Sequence, residues 1–487
     1  MNNVDTFTTK SGTKYIFDGT TGFISPISEK LFKCVNNTTK LDRDLIIENA
    51  DDSLSAAIRK WSLFSTPSKI DLNIYSIKNS IEEYPYPQLI LGITEDCNLR
   101  CKYCIFSGNY IDMRTHKAKT MNTEVALKSV DYYIDNQSKY KKKAPEKESV
   151  ISFYGGEPLL NFNLIKRVVS HVKKRRFKTL FAITTNATLL TKEIIEFLVS
   201  NNFLVSISLD GSEKEHNRNR VYPNGHGTYK KVMQGIRLLT DEIQRQGKTE
   251  ELPILILTCF DEKTNLIHLN KFFSENDLLA RHPGRVSQVI PVDGNQEINP
   301  TISPLFLQYI YELKNGYSSK KIYFEERIFG TIFKIMLARN VMPYGDSYTN
   351  SLGNACIPGG KYFVDTDGNY HVCERISYNF PIGNYKQGLD YDAILELLTK
   401  WQKEVSNYCG ECAYKAICGL CFANCAEDKT FDINKICQST RKLAIRRQLE
   451  YAHSLLEYDS DIMRNYASNR TVVNKKFLRL ARLMESC

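Results

Sequence analysis

Apolar and polar positions change rhythm near residue 88. Upstream, residues 13–17 and 23–27 are strand-like and flank Asp18-Gly19-Thr20-Thr21-Gly22. That order reads as strand, turn, strand, with the Asp-Gly pair supplying the positive φ of a tight hairpin. Ser28 precedes Glu29-Lys30-Leu31-Phe32, a capped helix start, and a second helical stretch covers 51–63. Downstream, apolar runs recur at 88–94, 149–154, 179–185, 204–209, 252–259 and 286–292, with helical patterns between them, for example at 164–174, 192–199 and 228–244. Strands alternating with helices predict a parallel sheet. Six such units make an α/β fold, a partial (β/α)6 barrel whose chemistry sits at the C-terminal strand ends. The expected organisation is a small α+β domain over 1–85, the barrel core over 86–300, a helical bridge over 301–350, a cysteine-rich domain over 351–440 and a helical tail over 441–487. The lysine-rich run 138–148 reads as a surface loop.

Composition narrows the class. A chain of 487 residues has room for about three domains. Hydrophobic content of 42% and charged content of 25% describe a globular protein with a substantial core. The start, Met1-Asn2-Asn3-Val4-Asp5, has neither a basic nor an apolar segment, so no signal peptide is expected. The longest apolar runs, such as 252–259, are too short to span a bilayer, and a cytoplasmic location is expected. About half of the net charge of +10 follows Cys437. No aromatic-basic pattern accompanies it, so it reads as a solvated helix face rather than a nucleic-acid footprint. Such a surface also attracts acidic peptides.

The cysteines add chemistry. There are 14, and a chain without an export signal stays among reducing thiols, which disfavours disulfides. Three cluster between 97 and 104 and eight between 356 and 437, the short gaps of metal or iron–sulfur ligands. Cys34, Cys259 and Cys487 stand alone and are expected to be ordinary small apolar or surface residues. Cys97, Cys101 and Cys104 form C-x3-C-x2-C directly after a predicted strand. Three thiolates hold three irons of a [4Fe–4S] cluster and leave the fourth without a protein ligand, the open position that catalysis needs. Zinc fits less well, because it usually takes four ligands, often as paired C-x2-C units.

With Tyr103 before its last cysteine, this motif resembles that of the radical S-adenosylmethionine (SAM) superfamily. The resemblance implies that the open iron chelates SAM, and that one electron cleaves a carbon–sulfur bond to give a 5′-deoxyadenosyl radical that abstracts hydrogen from substrate. Tyr154-Gly155-Gly156-Glu157-Pro158 ends the second predicted strand and resembles the family's Gly-Gly-Glu-Pro motif, which contacts the SAM amino group. Glycines admit a close backbone approach, and a carboxylate or carbonyl accepts from an ammonium. Thr185 and Asn186 at the third strand end, and Ser208 at the fourth, resemble SAM-contacting edges. By the same resemblance Arg220 pairs with the SAM carboxylate and Tyr103 lies by the adenine.

The later cysteines are similar to the SPASM extension, which carries two auxiliary [4Fe–4S] clusters, making three in all. Its pattern runs C, then G-x4-C, then C-x2-C-x5-C-x3-C, then a last C. Here Cys421 follows Cys418 one position early and Cys425 is extra. The resemblance implies an outer cluster on Cys409, Cys412, Cys418 and Cys437. It implies an inner one on Cys356 and Cys373 with Cys421, Cys425 or both. A zinc-ribbon-like module is the alternative. The segment 15–32 resembles a PqqD-like leader-binding domain, which takes a leader peptide as an added strand. The stretches around Cys356 and Cys373 resemble sactipeptide and ranthipeptide synthases. The resemblance therefore implies an oxidoreductase that forms thioether cross-links in a ribosomal precursor peptide carrying a leader, fed by a reductant such as flavodoxin or ferredoxin, with no nucleic acid or membrane partner. A formylglycine-forming sulfatase-type maturase, a carbon–carbon peptide cyclase and an iron–sulfur electron carrier are the rivals. No residue is singled out as general base.

Overall fold

The computed structural model describes residues 3–66, 70–83, 88–110, 113–140, 148–289, 299–305, 307–308, 351–353, 355–356, 358, 361–415, 417–434, 436–437 and 439–458. Nearly all of the expected bridge, most of the lysine-rich loop and the tail beyond 458 lie outside the described residues.

The chain opens with an antiparallel meander of β1 (Val4–Thr8), β2 (Lys14–Asp18) and β3 (Phe23–Ile27), in that spatial order. Three helices follow, α1 (Glu29–Asn37), α2 (Arg43–Asn49) and α3 (Asp52–Trp61). Each is started by a side-chain cap: Ser28, Asp42 and Asp51 accept from the backbone N–H groups of Leu31, Leu45 and Leu54. Ile16, Leu31, Ile46, Ile58 and Phe64 close a separate small core. The hairpin departs from the sequence expectation. Positive φ falls on Gly22 (+73°) and not on Gly19. The buried Asp18 carboxylate organises the turn, accepting from Thr20 N–H, the Thr21 hydroxyl and Phe64 N–H. Gly19 has a different reason to be glycine: a Cβ there would overlap the Ala413 carbonyl. The unit thus docks on the C-terminal region, helped by a Tyr414 hydroxyl bond to Asp5.

The main sheet holds β4 (Gln88–Thr94), β5 (Val150–Gly155), β6 (Leu180–Thr185), β7 (Phe203–Ser208), β8 (Leu255–Phe260) and β9 (Gly284–Gln288), adjacent and all parallel. It is the expected partial barrel. Residues alternate along each strand. Leu89, Leu91, Ile151, Phe153, Phe203, Val205 and Ile207 enter the core under the helices. Their neighbours Gln88, Ser152, Ala182, Ser206 and Leu257 line a cavity on the other face. The helix α6 (Phe162–Lys174) buries Leu164, Ile165, Val168, Val169 and Val172, the stripe of an amphipathic cover. No described helix is long and apolar enough to cross a membrane.

Past β4 the sheet continues through β10 (Lys361–Val364), which is parallel to β4, into antiparallel β11 (Asn369–His371). The C-terminal region also contributes to the main apolar core, more than its cysteine density suggests. Trp401 on the helix Tyr391–Cys409 is fully buried and packs on Phe422 and Phe431 at 4.9 and 5.2 Å. The last helix, Ser439–Tyr458, carries Glu457, which accepts from Thr9, Ser11 and Tyr15 of the N-terminal hairpin.

Candidate active site

The cysteine loop leaves the C-terminal end of β4 and is seated by the end of β5. Gly156 N–H donates to Thr94 O at 2.9 Å, and Glu157 N–H to Asp96 O at 2.8 Å. A Cβ on Gly155 would overlap Thr94, and one on Gly156 would overlap the Asp96 carbonyl and sit 3.0 Å from Cys97 Cβ. The glycine pair therefore makes room for the cysteine loop itself.

Glu157 is buried and its carboxylate is fully occupied. It accepts from the Thr185 hydroxyl (2.7 Å), Asn186 N–H (2.7 Å) and Leu159 N–H (3.1 Å). Burial pushes its carboxyl up to about 7, while these donors pull it down. The side chains of Glu157 and Thr185 thus tie β5 to β6. Asn186 reaches further: its Nδ2 donates to Asn98 Oδ1 at 2.9 Å and lies 4.0 Å from Cys97 Sγ.

On the opposite side Arg220 donates from Nε to Asp210 at 3.0 Å, and its Nη1 faces Cys101 Sγ at 3.8 Å. The Tyr103 hydroxyl bonds to the same Asp210 carboxylate, and the guanidinium lies 5.4 Å from the Tyr103 ring. Behind them Asp210 N–H donates to His216 Nδ1, so the proton of the neutral ring is on Nε2, which bonds the Thr228 hydroxyl. That hydroxyl donates to the Arg220 carbonyl. Burial holds His216 down to about 4. Asp210 falls in the stretch that ends the fourth predicted strand, but nothing in sequence connects it to His216 or Thr228.

Cys97, Cys101 and Cys104 line one cavity of about 560 Å³, together with Tyr103, Gly155, Gly156, Glu157, Thr185, Asn186, Ser208 and Arg220. Sites for small molecules commonly have this volume. Burial pushes the Cys97 thiol up to about 12 and that of Cys101 up to about 11. Thiols so placed become thiolates when a metal centre binds. Among the described residues no group of three His, Cys, Asp or Glu side chains is placed to hold a metal ion. The three thiols and the space beside them fit a centre in which each thiolate takes a different iron.

The cavity lining also contains residues that sequence reading did not select: Cys259 and Arg285 from β8 and β9, and Glu374 and Arg375 after β11; Cys259 N–H donates to Asp210 at 3.0 Å. Cys259 thus lines the cavity, a placement its isolation in sequence does not reveal. Its partners come from the sheet order, not from its neighbours in sequence.

Cys409, Cys412, Cys418 and Cys437 line a second pocket with Lys415, Arg441 and Lys442. Arg441 donates from Nε to Cys418 Sγ at 3.1 Å. Cys421 precedes the short helix Phe422–Cys425 and stands close enough to Cys356, Cys373 and Cys425 to help push their thiols up. Cys425 is fully buried and also senses Cys409 and Cys418.

Residues 91–253 match the radical SAM superfamily. The radical SAM cyclopropyl synthase TigE of Paramaledivibacter caminithermalis is 33% identical over 393 residues, covering 76% of this chain and 75% of TigE. A cysteine-type anaerobic sulfatase-maturating enzyme of Clostridium novyi is 26% identical over 314 residues, 62% of this chain and 75% of that enzyme. In fold, the solved structure of native anSMEcpe with bound AdoMet overlays with a TM-score of 0.55 at 20% identity, over 77% of this chain and 99% of that one. The cysteine loop at a parallel strand end, the cavity beside it and the match to TigE along three quarters of its length together place this chain in the radical SAM superfamily.

Proposed function

We propose that this chain is a radical SAM maturase that forms thioether cross-links in a ribosomally synthesised precursor peptide. One observation carries the reading: a single cavity runs from the thiols of Cys97, Cys101 and Cys104 to Glu374 and Arg375, next to Cys373. In this proposal the first three cysteines hold the catalytic [4Fe–4S] cluster. Tyr103, Gly155, Gly156, Glu157, Thr185, Asn186, Ser208 and Arg220 form the SAM pocket. Cys409, Cys412, Cys418 and Cys437 hold the outer auxiliary cluster, and Cys356 and Cys373, with Cys421, Cys425 or both, the inner one.

When bound, SAM and these clusters supply the 5′-deoxyadenosyl radical that takes a hydrogen atom from a peptide carbon, and the sink for the surplus electron as the peptide sulfur joins that carbon. The protein supplies the rest. The Asp210–Arg220 pair and Asn186 set charge and donors beside the sulfurs of Cys101 and Cys97. Among the described residues lining the cavity, the carboxylates are Glu157 and Glu374. Glu157 is committed to its three donors, so Glu374, paired with Lys361 at 3.7 Å, is the group that takes the proton of the peptide thiol. The first 85 residues serve as the leader-recognition domain, with β3 at the edge of the small sheet as the site of strand addition. Residues 86–300 serve as the catalytic core, 301–350 as the bridge, 351–440 as the auxiliary-cluster domain and 441–487 as the tail, with the chain acting in the cytoplasm and drawing electrons from a flavodoxin or ferredoxin.

Two relatives favour second readings. TigE is a cyclopropyl synthase, which supports a carbon–carbon bond, and the sulfatase-maturating relatives support formylglycine formation equally. The test is anaerobic turnover of reconstituted enzyme with a cysteine-bearing precursor, followed by mass spectrometry and thiol alkylation. A two-hydrogen loss with disappearance of one alkylatable thiol is expected. The same loss with every thiol still alkylatable supports the carbon–carbon reading. Exchange of a cysteine for an aldehyde supports the maturase reading.

A further inference from the structure

Ten residues past Cys104 the chain carries Arg114, whose positive charge acts on the Cys104 thiol. Arg114 is only 8% exposed. Its guanidinium carbon lies 3.5 Å from the centre of the Phe106 ring, whose residue lines the cavity. Its Nε and Nη1 are fully buried and meet no hydrogen-bond acceptor. Among the described residues no carboxylate pairs with it. The contrast with its neighbours is sharp. Arg220 rests on Asp210, and Arg218 rests on Asp261 and Glu215. A buried guanidinium with no counter-charge is among the costlier arrangements in a folded chain, and an anion bound close by would relieve that cost.

The geometry narrows what that anion is. Phe106, on which the guanidinium is stacked, follows Cys104 by two residues and lines the same cavity. His116 Nε2 lies 3.9 Å from the Cys104 sulfur. Among the charges that act on the Cys104 thiol, Arg114 stands ahead of Arg220 and Arg100. A centre of four irons and four sulfides on three thiolates is anionic and gains a further negative charge on reduction. Hydrogen bonds and positive charge near its sulfurs raise its potential.

We propose that Arg114 is a positioning residue, the buried counter-charge of the iron–sulfur centre on its Cys104 side, matching Arg220 on the Cys101 side. Its charge, stacked on the cavity-lining Phe106 ring, favours the reduced state that must deliver an electron. The inference rests on the reading that Cys97, Cys101 and Cys104 hold the cluster.

The test compares wild type, Arg114→Gln and Arg114→Lys as reconstituted full-length enzyme. Iron and sulfide are quantified, and the cluster signal that changes on SAM addition is titrated by EPR against solution potential. Arg114→Gln is expected to bind the same iron yet hold about tenfold less reduced cluster at a fixed poise, a shift of about 59 mV to more negative potential for one electron. Arg114→Lys, which keeps the charge, should restore most of that loss. If Arg114→Gln binds too little iron, the comparison of Arg114→Lys with wild type decides. A potential unchanged in Arg114→Gln, or as strongly shifted in Arg114→Lys as in a neutral variant, overturns the proposal. A wild-type protein that assembles no SAM-responsive cluster overturns the underlying reading instead.

Discussion

Gly156→Ala tests how the site is built. The added Cβ overlaps the Asp96 carbonyl and stands 3.0 Å from Cys97 Cβ. Bringing it out to the 3.0 Å below which real Cβ atoms essentially never sit requires about 1 Å of movement. The carbonyl cannot rotate away cheaply, because it accepts from Glu157 N–H at 2.8 Å, and Glu157 is pinned by Thr185, Asn186 and Leu159. The movement therefore falls on the loop, and Cys97 travels with it. Overpacking of this kind costs about 1–3 kcal/mol of stability, which a chain of this size tolerates. A displacement of about 1 Å at reacting groups costs on the order of 10²-fold in rate. Gly156→Ala should therefore fold and retain its far-ultraviolet circular dichroism, bind less iron at the catalytic position, and make 5′-deoxyadenosine on the order of 10²-fold more slowly. Iron analysis and chromatography of 5′-deoxyadenosine check this. Wild-type iron content together with a wild-type rate would refute the view that the glycine pair seats the cysteine loop.

Three further outcomes are expected. Glu374→Gln should leave SAM cleavage intact and lower cross-linked peptide by about 10²–10⁴-fold, the usual range for a lost general base; equal loss of both products contradicts the assignment. His216, fully buried, is held near 4 from an ordinary 6.5 by burial. The unfolded chain thus binds a proton that the folded chain refuses, and stability on the order of 3 kcal/mol, present above pH 6.5, is lost as pH falls toward 4. Denaturant titrations should show this slope in wild type and a flatter one in His216→Gln; parallel slopes contradict it. Gly19→Ala should push the N-terminal unit off the Ala413 carbonyl, seen as faster limited proteolysis near residue 85 with SAM cleavage unchanged, and an unchanged digestion pattern counts against that docking.

The parallel core was legible because its physics is local. Each strand is a short apolar run whose alternate residues meet helices, so all six were placed to within four residues at either end. The three thiols of the cysteine loop were legible because their spacing reports ligation directly. Other features arise only in three dimensions. Cys259, Arg285 and Glu374 share a cavity because β8, β9 and the segment after β11 come round to one mouth. The chain from Asp210 through His216 and Thr228 to Arg220 closes across a helix and a loop. β1 escaped notice because its five residues alternate weakly and gain their burial from the last helix, far away in sequence. Gly19 illustrates the same limit: its pattern matched a turn rule, while the real constraint is a carbonyl almost four hundred residues on.

The central claim is that Cys97, Cys101 and Cys104 hold the cluster that cleaves SAM. Its most direct test is anaerobic reconstitution of wild type and of the variant Cys97→Ala/Cys101→Ala/Cys104→Ala, each reduced with dithionite and mixed with SAM. Wild type is predicted to yield 5′-deoxyadenosine, and the triple variant to yield none while keeping the iron bound by the later cysteines. A loaded wild type that leaves SAM intact, or a triple variant that still cleaves it, would contradict the account.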